Sequence, residues 1–426
     1  MTRIVLLLSA FMLVGSVSAQ TVSGGEEPSL AIDTAKIPMI AATFDGDRSV
    51  VFESPKDSCN DNDIPDSMAR AFRDFNGTVH LMAASSELFQ NLGPTLEDVR
   101  HNCAPAFISA GDPNPSHYND QFWLSSFYTF DGLKIAALSH TEYHGWTHPG
   151  ECNTTNLGEC EYDSDTYHLS TDGGYNYDSF PASGNFVAGV PYKYAVDGGP
   201  TGFSVDTPII HYRGWFYAVT TSYTWPPNCT ADSVPTPCLI NGGAPIRTRD
   251  VFDPSSWRAW SGQDFSVSFA DPYTKRISDP QAHVYAAVPY MSYIYAINIF
   301  RQRHDAASWD VEDFDHAEEF QKGDIVFATL WDVYDNLLGP QGLYFSTTTD
   351  LVHWTRPTLV VTQQELLSHD PPESYYAYFS VLDPHAPDRN FTIVGERAYL
   401  YYTRLNSGSN PDRVLFRQPI DLNLTP

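Results

Sequence analysis

Two short segments, Leu169–Tyr177 (LSTDGGYNY) and Ser346–Trp354 (STTTDLVHW), carry the reading of the fold. In the first, Ser170, Asp172, Gly174 and Tyr177 follow the pattern Ser-x-Asp-x-Gly-x-x-aromatic; the second closes in the same type of hairpin with Asp350 and Trp354. Asp253–Trp260, DPSSWRAW, is a third and looser relative. In such a turn the aspartate accepts hydrogen bonds from the loop's own backbone amides while the aromatic packs between strands. All three aspartates therefore read as structural.

Outward from these turns the chain is a succession of strand signals. IPMIAATF, GTVHLMAAS, QFWLSSFYTF, KIAALSH, TPIIHYRGWFYAVTTSY, AHVYAAVPY, YIYAINIF, DIVFATLWD, GLYFSTTTD and RAYLYYTRL are rich in Val, Ile, Tyr, Phe and Thr and bounded by Gly, Pro, Asn and Asp. Helical periodicity is confined to short pieces at Leu96–Val99 and Thr362–Leu367. Units opening near Pro65, Asp120, Phe203, Ser278 and Tyr375 repeat the same order of strands and turns. Four-stranded blades of about 40 to 50 residues plus loop insertions account for that spacing. The expectation is an all-β, five-bladed β-propeller; a β-sandwich with an added domain is the alternative, although no linker divides the chain.

The first twenty residues, MTRIVLLLSAFMLVGSVSAQ, place Arg3 before an apolar run and end on small residues. This is the pattern of a secretory signal peptide, which leaves 21–426 as one domain of an extracellular protein. Six cysteines, Cys59, Cys103, Cys152, Cys160, Cys229 and Cys238, suit three disulfides in an oxidising compartment. Fifteen pairings are open; Cys152 with Cys160 and Cys229 with Cys238 would close short loops, leaving Cys59 for Cys103. Sequons at Asn76, Asn153, Asn228, Asn390 and Asn423 suit a glycoprotein surface. A formal charge of −28 argues against nucleic acid and against an anionic membrane as partners.

Ala137–Cys152, ALSHTEYHGWTHPGEC, concentrates candidate chemistry. Continued as a strand, the period of two sets His140, Glu142 and His144 on one face. A histidine there would hold the glutamate charged, whereas burial would raise it toward the range of a general acid. The helical zinc motif H-E-x-x-H is absent. A His-x-Glu-x-His face has the donor types for zinc or another divalent ion, but no residue is assigned to a metal. Neither G-x-x-x-x-G-K-[ST], G-x-G-x-x-G nor G-x-S-x-G occurs.

The opening IPDSMARAFRDFNGTVHLMAAS, the turn STTTDLVHW and the final GERAYLYYTRLNSGSNPDRVLFRQPIDL give the chain its resemblance to five-bladed propeller glycosidases, the group of glycoside hydrolase families 43, 62 and 32. The resemblance implies a base, an acid and a third carboxylate around an axial funnel, with Asp66 matching the first aspartate and Asp206 in GFSVDTPII the third carboxylate. The usual glutamate is missing where the next blade opens, ISDPQAHVYAA, which offers Asp279 and His283 instead; Glu142 can fill that role. Arg70, Arg73, His101, Trp123, His140, Tyr143, His144 and Asp279 are the candidate substrate-binding residues, and Trp146, Trp215 and Tyr128 are further aromatics able to stack on sugar faces. The expected partner is an oligo- or polysaccharide cleaved by a monomer that requires no cofactor, with a structural calcium or other divalent ion as the resemblance's suggestion. Two other functions fit these residue types. One is a polysaccharide lyase acting on uronates, with a His or Tyr base and Arg70 and Arg73 as neutralising cations; the other is a non-catalytic sugar-binding propeller.

Overall fold

A computed structural model describes residues 32–178, 184–223, 242–269, 271–274, 294–302, 320–332, 338–367, 370, 374–406 and 412–425. The chain forms five antiparallel sheets around one axis, a five-bladed β-propeller. Strands β1 (Met39–Phe44) and β2 (Ser49–Glu53) precede the first blade. Blade 1 holds β3 (Arg70–Arg73), β4 (Val79–Met82), β5 (Glu87–Gly93) and β6 (Arg100–Ile108). Blade 2 holds β7 (Gln121–Thr129), β8 (Ile135–His144), β9 (Glu161–Ser170) and β10 (Phe186–Gly189). Blade 3 comprises β11 (Gly202–Val205), β12 (Ile210–Tyr212), β13 (Trp215–Tyr223), β14 (Gly242–Thr248) and β15 (Arg258–Ala259). Blade 4 comprises β16 (Ile294–Phe300), β17 (Ile325–Asp332), β18 (Gly342–Thr348) and β19 (Thr358–Thr362).

Blade 5 contains β20 (Tyr375–Leu382), β22 (Arg397–Leu405) and β23 (Arg413–Thr425), while the short β21 (Ile393–Val394) pairs in parallel with β16. Its outer edge is supplied from the other end of the chain. β1 pairs with β23 from Met39↔Thr425 to Phe44↔Ile420, and β2 continues along the same strand. The ring is thereby closed by hydrogen bonds between residues far apart in sequence, and that edge is covered.

On the inner strands the alternating side chains serve two interfaces. On β3, Ala71 packs toward blade 5 and Phe72 toward blade 2. The same division yields five apolar cores, one between each pair of neighbouring blades. A fully buried ring such as Phe72 contributes about 2 to 3 kcal/mol. Buried on both faces, the strands need near-continuous apolar or small residues, which is why the Val-, Ile-, Tyr- and Phe-rich runs were legible.

The three aspartate turns all join the last two strands of their blades, in blades 2, 3 and 4. Asp172 accepts from the amides of Tyr175 and Asn176, Asp350 from those of Val352 and His353, and Asp253 from that of Ser255. Tyr177 and Trp354 are buried. Inner strands begin at Arg70, Gln121, Gly202 and Tyr375, close to the expected openings; the fourth opening, at Ser278, lies outside the described residues, as does AHVYAAVPY. Disulfides join Cys59 to Cys103 and Cys152 to Cys160; Cys229 and Cys238 are outside the described residues. The helix expected at Leu96–Val99 is instead a run of bends with Leu96 buried, whereas Gln363–Leu367 is helical (α1). Among the described residues, no helix is long and apolar enough to cross a membrane.

Candidate active site

Arg70 is the first residue of the first inner strand, and its guanidinium lies across the axis. Nε donates to the Ser125 carbonyl at 2.9 Å, Nη1 to Ala69 at 3.0 Å, and Nη2 to Tyr295 at 2.7 Å and to Asp206. These acceptors belong to blades 2, 1, 4 and 3 respectively. Ser125 and Tyr295 sit at β-bulges in β7 and β16, and Asp206 sits at the break between β11 and β12. A bulge turns a carbonyl out of its ladder, and here the freed carbonyls meet one cation. Burial pushes the Arg70 guanidinium down to about 9, with the charge of Asp206 opposing it, so it remains a cation at neutral pH.

The fifth inner strand also bulges, between Ala377 and Ser380. Tyr378, within that bulge, adopts a left-handed φ of 61°. Its hydroxyl donates to Asp66 Oδ1 at 2.9 Å, Arg413 Nη1 donates to the same oxygen, and Trp123 Nε1 donates to Oδ2 at 3.3 Å. Asp66 stands four positions before β3, in the segment entering it, with its side chain 18% exposed. Groups from blades 2 and 5 thus fix one reachable carboxylate at the entry to blade 1.

Trp123 links Asp66 to a second group of charges. Its ring centroid is 5.8 Å from that of His140 and 6.1 Å from that of His144. On blade 2 the register pairs His140 with Asp165, Glu142 with Asp163 and His144 with Glu161, so six ionisable side chains share the face toward blade 3. His144 Nε2 bonds Glu142 Oε2, and His140 Nε2 stands 3.3 Å from Glu142 Oε1 and 3.5 Å from Asp163 Oδ2. Asp206 follows β11 at the same rim, its Oδ2 accepting from Ser204 Oγ at 2.9 Å.

These groups polarise one another. Burial would raise Glu142, but the hydrogen bond from His144 and the charges of both histidines outweigh it, and its carboxyl is held below the usual range. Of the two opposed influences weighed for Glu142, histidine pairing wins. Burial alone would lower His140; Asp163 and Glu142 instead raise it to about 10. Asp163 and Asp165 are pushed up to about 7 by burial, and Glu161 is also raised, by burial and the neighbouring acids. Asp206 is raised by burial, with the charge of Glu142 adding to the shift and His140 opposing it.

The other expected residues lie elsewhere. Arg73, at the far end of β3, donates to the Ala386 and Asp388 carbonyls and lies over Phe391. Tyr143 faces away from Glu142, as period two requires: it is buried, stacks on His148 and donates to the Pro113 carbonyl. His101, on the outermost strand of blade 1, bonds Asp63 at 2.7 Å. Trp146 stacks on His144, with centroids 4.1 Å apart, whereas Trp215 lies under Arg247 and Arg249 and Tyr128 is core. Asp279 and His283 are outside the described residues. The strand β9, EYDSDTYHLS, was missed as an element, and with it Glu161, Asp163 and Asp165. Their spacing of two was the available signal; acidic residues at low strand propensity concealed it. Tyr378 and Arg413 had no local signal, because only the closed ring brings blade 5 beside Asp66.

No family model matches the chain, and no curated protein does. Among solved structures it is similar to an α-L-arabinanase from Cellvibrio cellulosa, at 10% identity, covering 83% of this chain and 90% of that one with a TM-score of 0.41. It is similar to a family 62 glycoside hydrolase solved with xylotriose, at 9% identity, 92% and 99% coverage and a TM-score of 0.41. A family 117 glycoside hydrolase from Zobellia galactanivorans matches at 10% identity, 91% and 92% coverage and a TM-score of 0.44.

Proposed function

We propose that this chain is an exported glycoside hydrolase acting on an oligo- or polysaccharide at the axial rim where Asp66, Asp206 and Glu142 gather. The observation that carries the reading is Trp123, which donates to Asp66 while its ring lies against His140 and His144, joining two partly exposed carboxylates at one rim. Glycoside hydrolysis needs one group to protonate the leaving oxygen and another to activate water or attack the anomeric carbon. Asp206, raised by burial, is suited to hold a proton and serves as the acid. Asp66, held by three donors from separate elements, serves as base or nucleophile. Glu142 is the third carboxylate, whose charge adds to the upward shift that burial gives Asp206. Trp123 and Trp146 supply apolar faces for a sugar ring. The two disulfides suit an oxidising compartment.

The lyase reading needs a cation beside the substrate carboxylate. Arg70 and Arg73 both donate to buried backbone carbonyls, and acidic groups crowd the rim, so a neutral glycan suits it better. Purified protein screened against plant, algal and fungal polysaccharides should release reducing ends without absorbance from unsaturated uronates. Both signals together would establish the lyase, and silence across the panel a binding role. Asp66→Asn and Asp206→Asn should each lower turnover by about 100-fold or more with the fold intact; wild-type turnover in either removes that residue from the mechanism. Activity should fall as pH rises through the Asp206 pKa. Because the negative charge of Glu142 raises that pKa, Glu142→Gln should move the alkaline limb of kcat/KM to lower pH, and an unmoved limb would contradict its role.

A further inference from the structure

Asp163 is fully buried, and neither of its carboxylate oxygens accepts a hydrogen bond. A buried carboxylate with no donor costs several kcal/mol, and this one is placed directly across the ladder from another acid, Glu142, the arrangement that sheets disfavour. The nearest positive group, His140 Nε2, stands 3.5 Å away, beyond a good hydrogen bond, and is itself without a hydrogen-bond partner. His140, Glu142 and Asp163 each offer a ligand atom, and these atoms lie within 4.8 Å of one another. They come from two adjacent strands, β8 and β9, and a bound divalent ion would take the place of the proton on His140.

We propose that His140, Glu142 and Asp163 form a binding site for a divalent cation of the zinc class, with an outward-facing position left for water or a substrate hydroxyl. Ligand bonds of about 2.0 to 2.1 Å in a tetrahedral site set neighbouring donor atoms about 3.3 Å apart, and Glu142 Oε1 and Asp163 Oδ2 stand 3.3 and 3.5 Å from His140 Nε2. One imidazole with two carboxylates suits zinc better than calcium or magnesium, which take more ligands, nearly all oxygen. The supporting contacts are built in. His144 holds the second oxygen of Glu142 and so orients the first toward the focus. The Asp163 amide donates to the Thr201 carbonyl at 2.9 Å, and Gly202 backs the residue so closely that a Cβ there would lie 2.4 Å from the Asp163 carbonyl oxygen. His140 and Glu142 are 17% and 18% exposed while Asp163 is sealed, so the ion is reached from the rim. The site shares Glu142 with the axial rim, and its ligand set stands whether or not the chain cleaves glycans.

The test uses the whole protein, stripped with a chelator and titrated with Co2+ and then Zn2+. One equivalent of Co2+ should bind with visible d–d absorption and be displaced by Zn2+, and Asp163→Asn and His140→Gln should each weaken Zn2+ binding by about 100-fold or more. Absence of saturable binding to the wild-type protein, or undiminished affinity in both variants, would overturn the site. If neither variant folds, X-ray absorption on the zinc-loaded wild-type protein decides: one imidazole in the metal's shell supports the assignment, and none refutes it. Because the readout is bound metal, hydrolysis and metal binding succeed or fail separately.

Discussion

His168 shows what burial does to a single titratable residue in this fold. It lies on β9 edge-on to Phe107 and Phe122, with ring centroids 5.0 and 4.9 Å away, and its Nδ1 reaches the Asp178 carbonyl. Burial pushes its pKa down to about 4, the hydrogen bond to that carbonyl only partly offsetting it. The native protein therefore keeps a neutral ring where the unfolded chain takes up a proton. Stability should fall as pH drops from about 6.5 to 4, by roughly 3 kcal/mol for this residue alone. His168→Asn retains a donor toward Asp178 and should flatten that part of the unfolding-midpoint profile; an unchanged acid slope would count against the assignment. Around His168 the sequence marks only the turn that follows it, Leu169–Tyr177. What sets its protonation is burial, to which Phe107, 61 residues earlier in the chain, contributes only when blades 1 and 2 pack.

Among elements, the inner strands matter most, and their irregularities do the positioning. β7, β16 and β20 each bulge, and the first inner segment of blade 3 breaks after Val205. Regular strands would direct every carbonyl into a ladder and every side chain to one of the two blade faces; the bulges aim two carbonyls and the Tyr378 side chain at the axis, and the break after Val205 aims a third carbonyl. Tyr378 holds a left-handed φ of 61° to do so, a conformation that costs a non-glycine residue about 1 kcal/mol or more. Tyr378→Phe should fold normally but lower kcat/KM by about tenfold or more, because Asp66 loses one of its three donors. Full activity in that variant would show that Arg413 and Trp123 suffice. Strand existence was legible from composition in nearly every blade, and the His140, Glu142 and His144 face followed from periodicity alone. Bulge positions were not, since a one-residue register shift leaves no mark in a Tyr- and Ser-rich strand.

For the whole molecule, Arg70 and the closing strand β1 hold the ring together. One guanidinium bonds carbonyls from four blades, which a lysine cannot do, since a single ammonium lacks both the reach and the planar fork. Arg70→Lys should destabilise the protein by about 3 kcal/mol or more in denaturant unfolding, since several charge-assisted bonds are lost and buried carbonyls are left unpaired. A loss below about 1 kcal/mol would show that the blades hold the axis without it. The residue carries no motif of its own: in ARAFRDF it reads as a possible substrate ligand, and only the convergence of four strand ends gives it a structural task. By itself, the sequence determined the all-β character, the blade turns and at least one strand of every blade, because alternation and turn chemistry are local properties. It also determined which three residues of HTEYH share a face. Tertiary structure decided which charges meet: that two histidines hold Glu142 ionised, that Asp206 is raised, that Asp163 is sealed without a donor and that Asp66 is gripped from blade 5. Those outcomes depend on burial and on distances across blades, and neither exists until the ring closes.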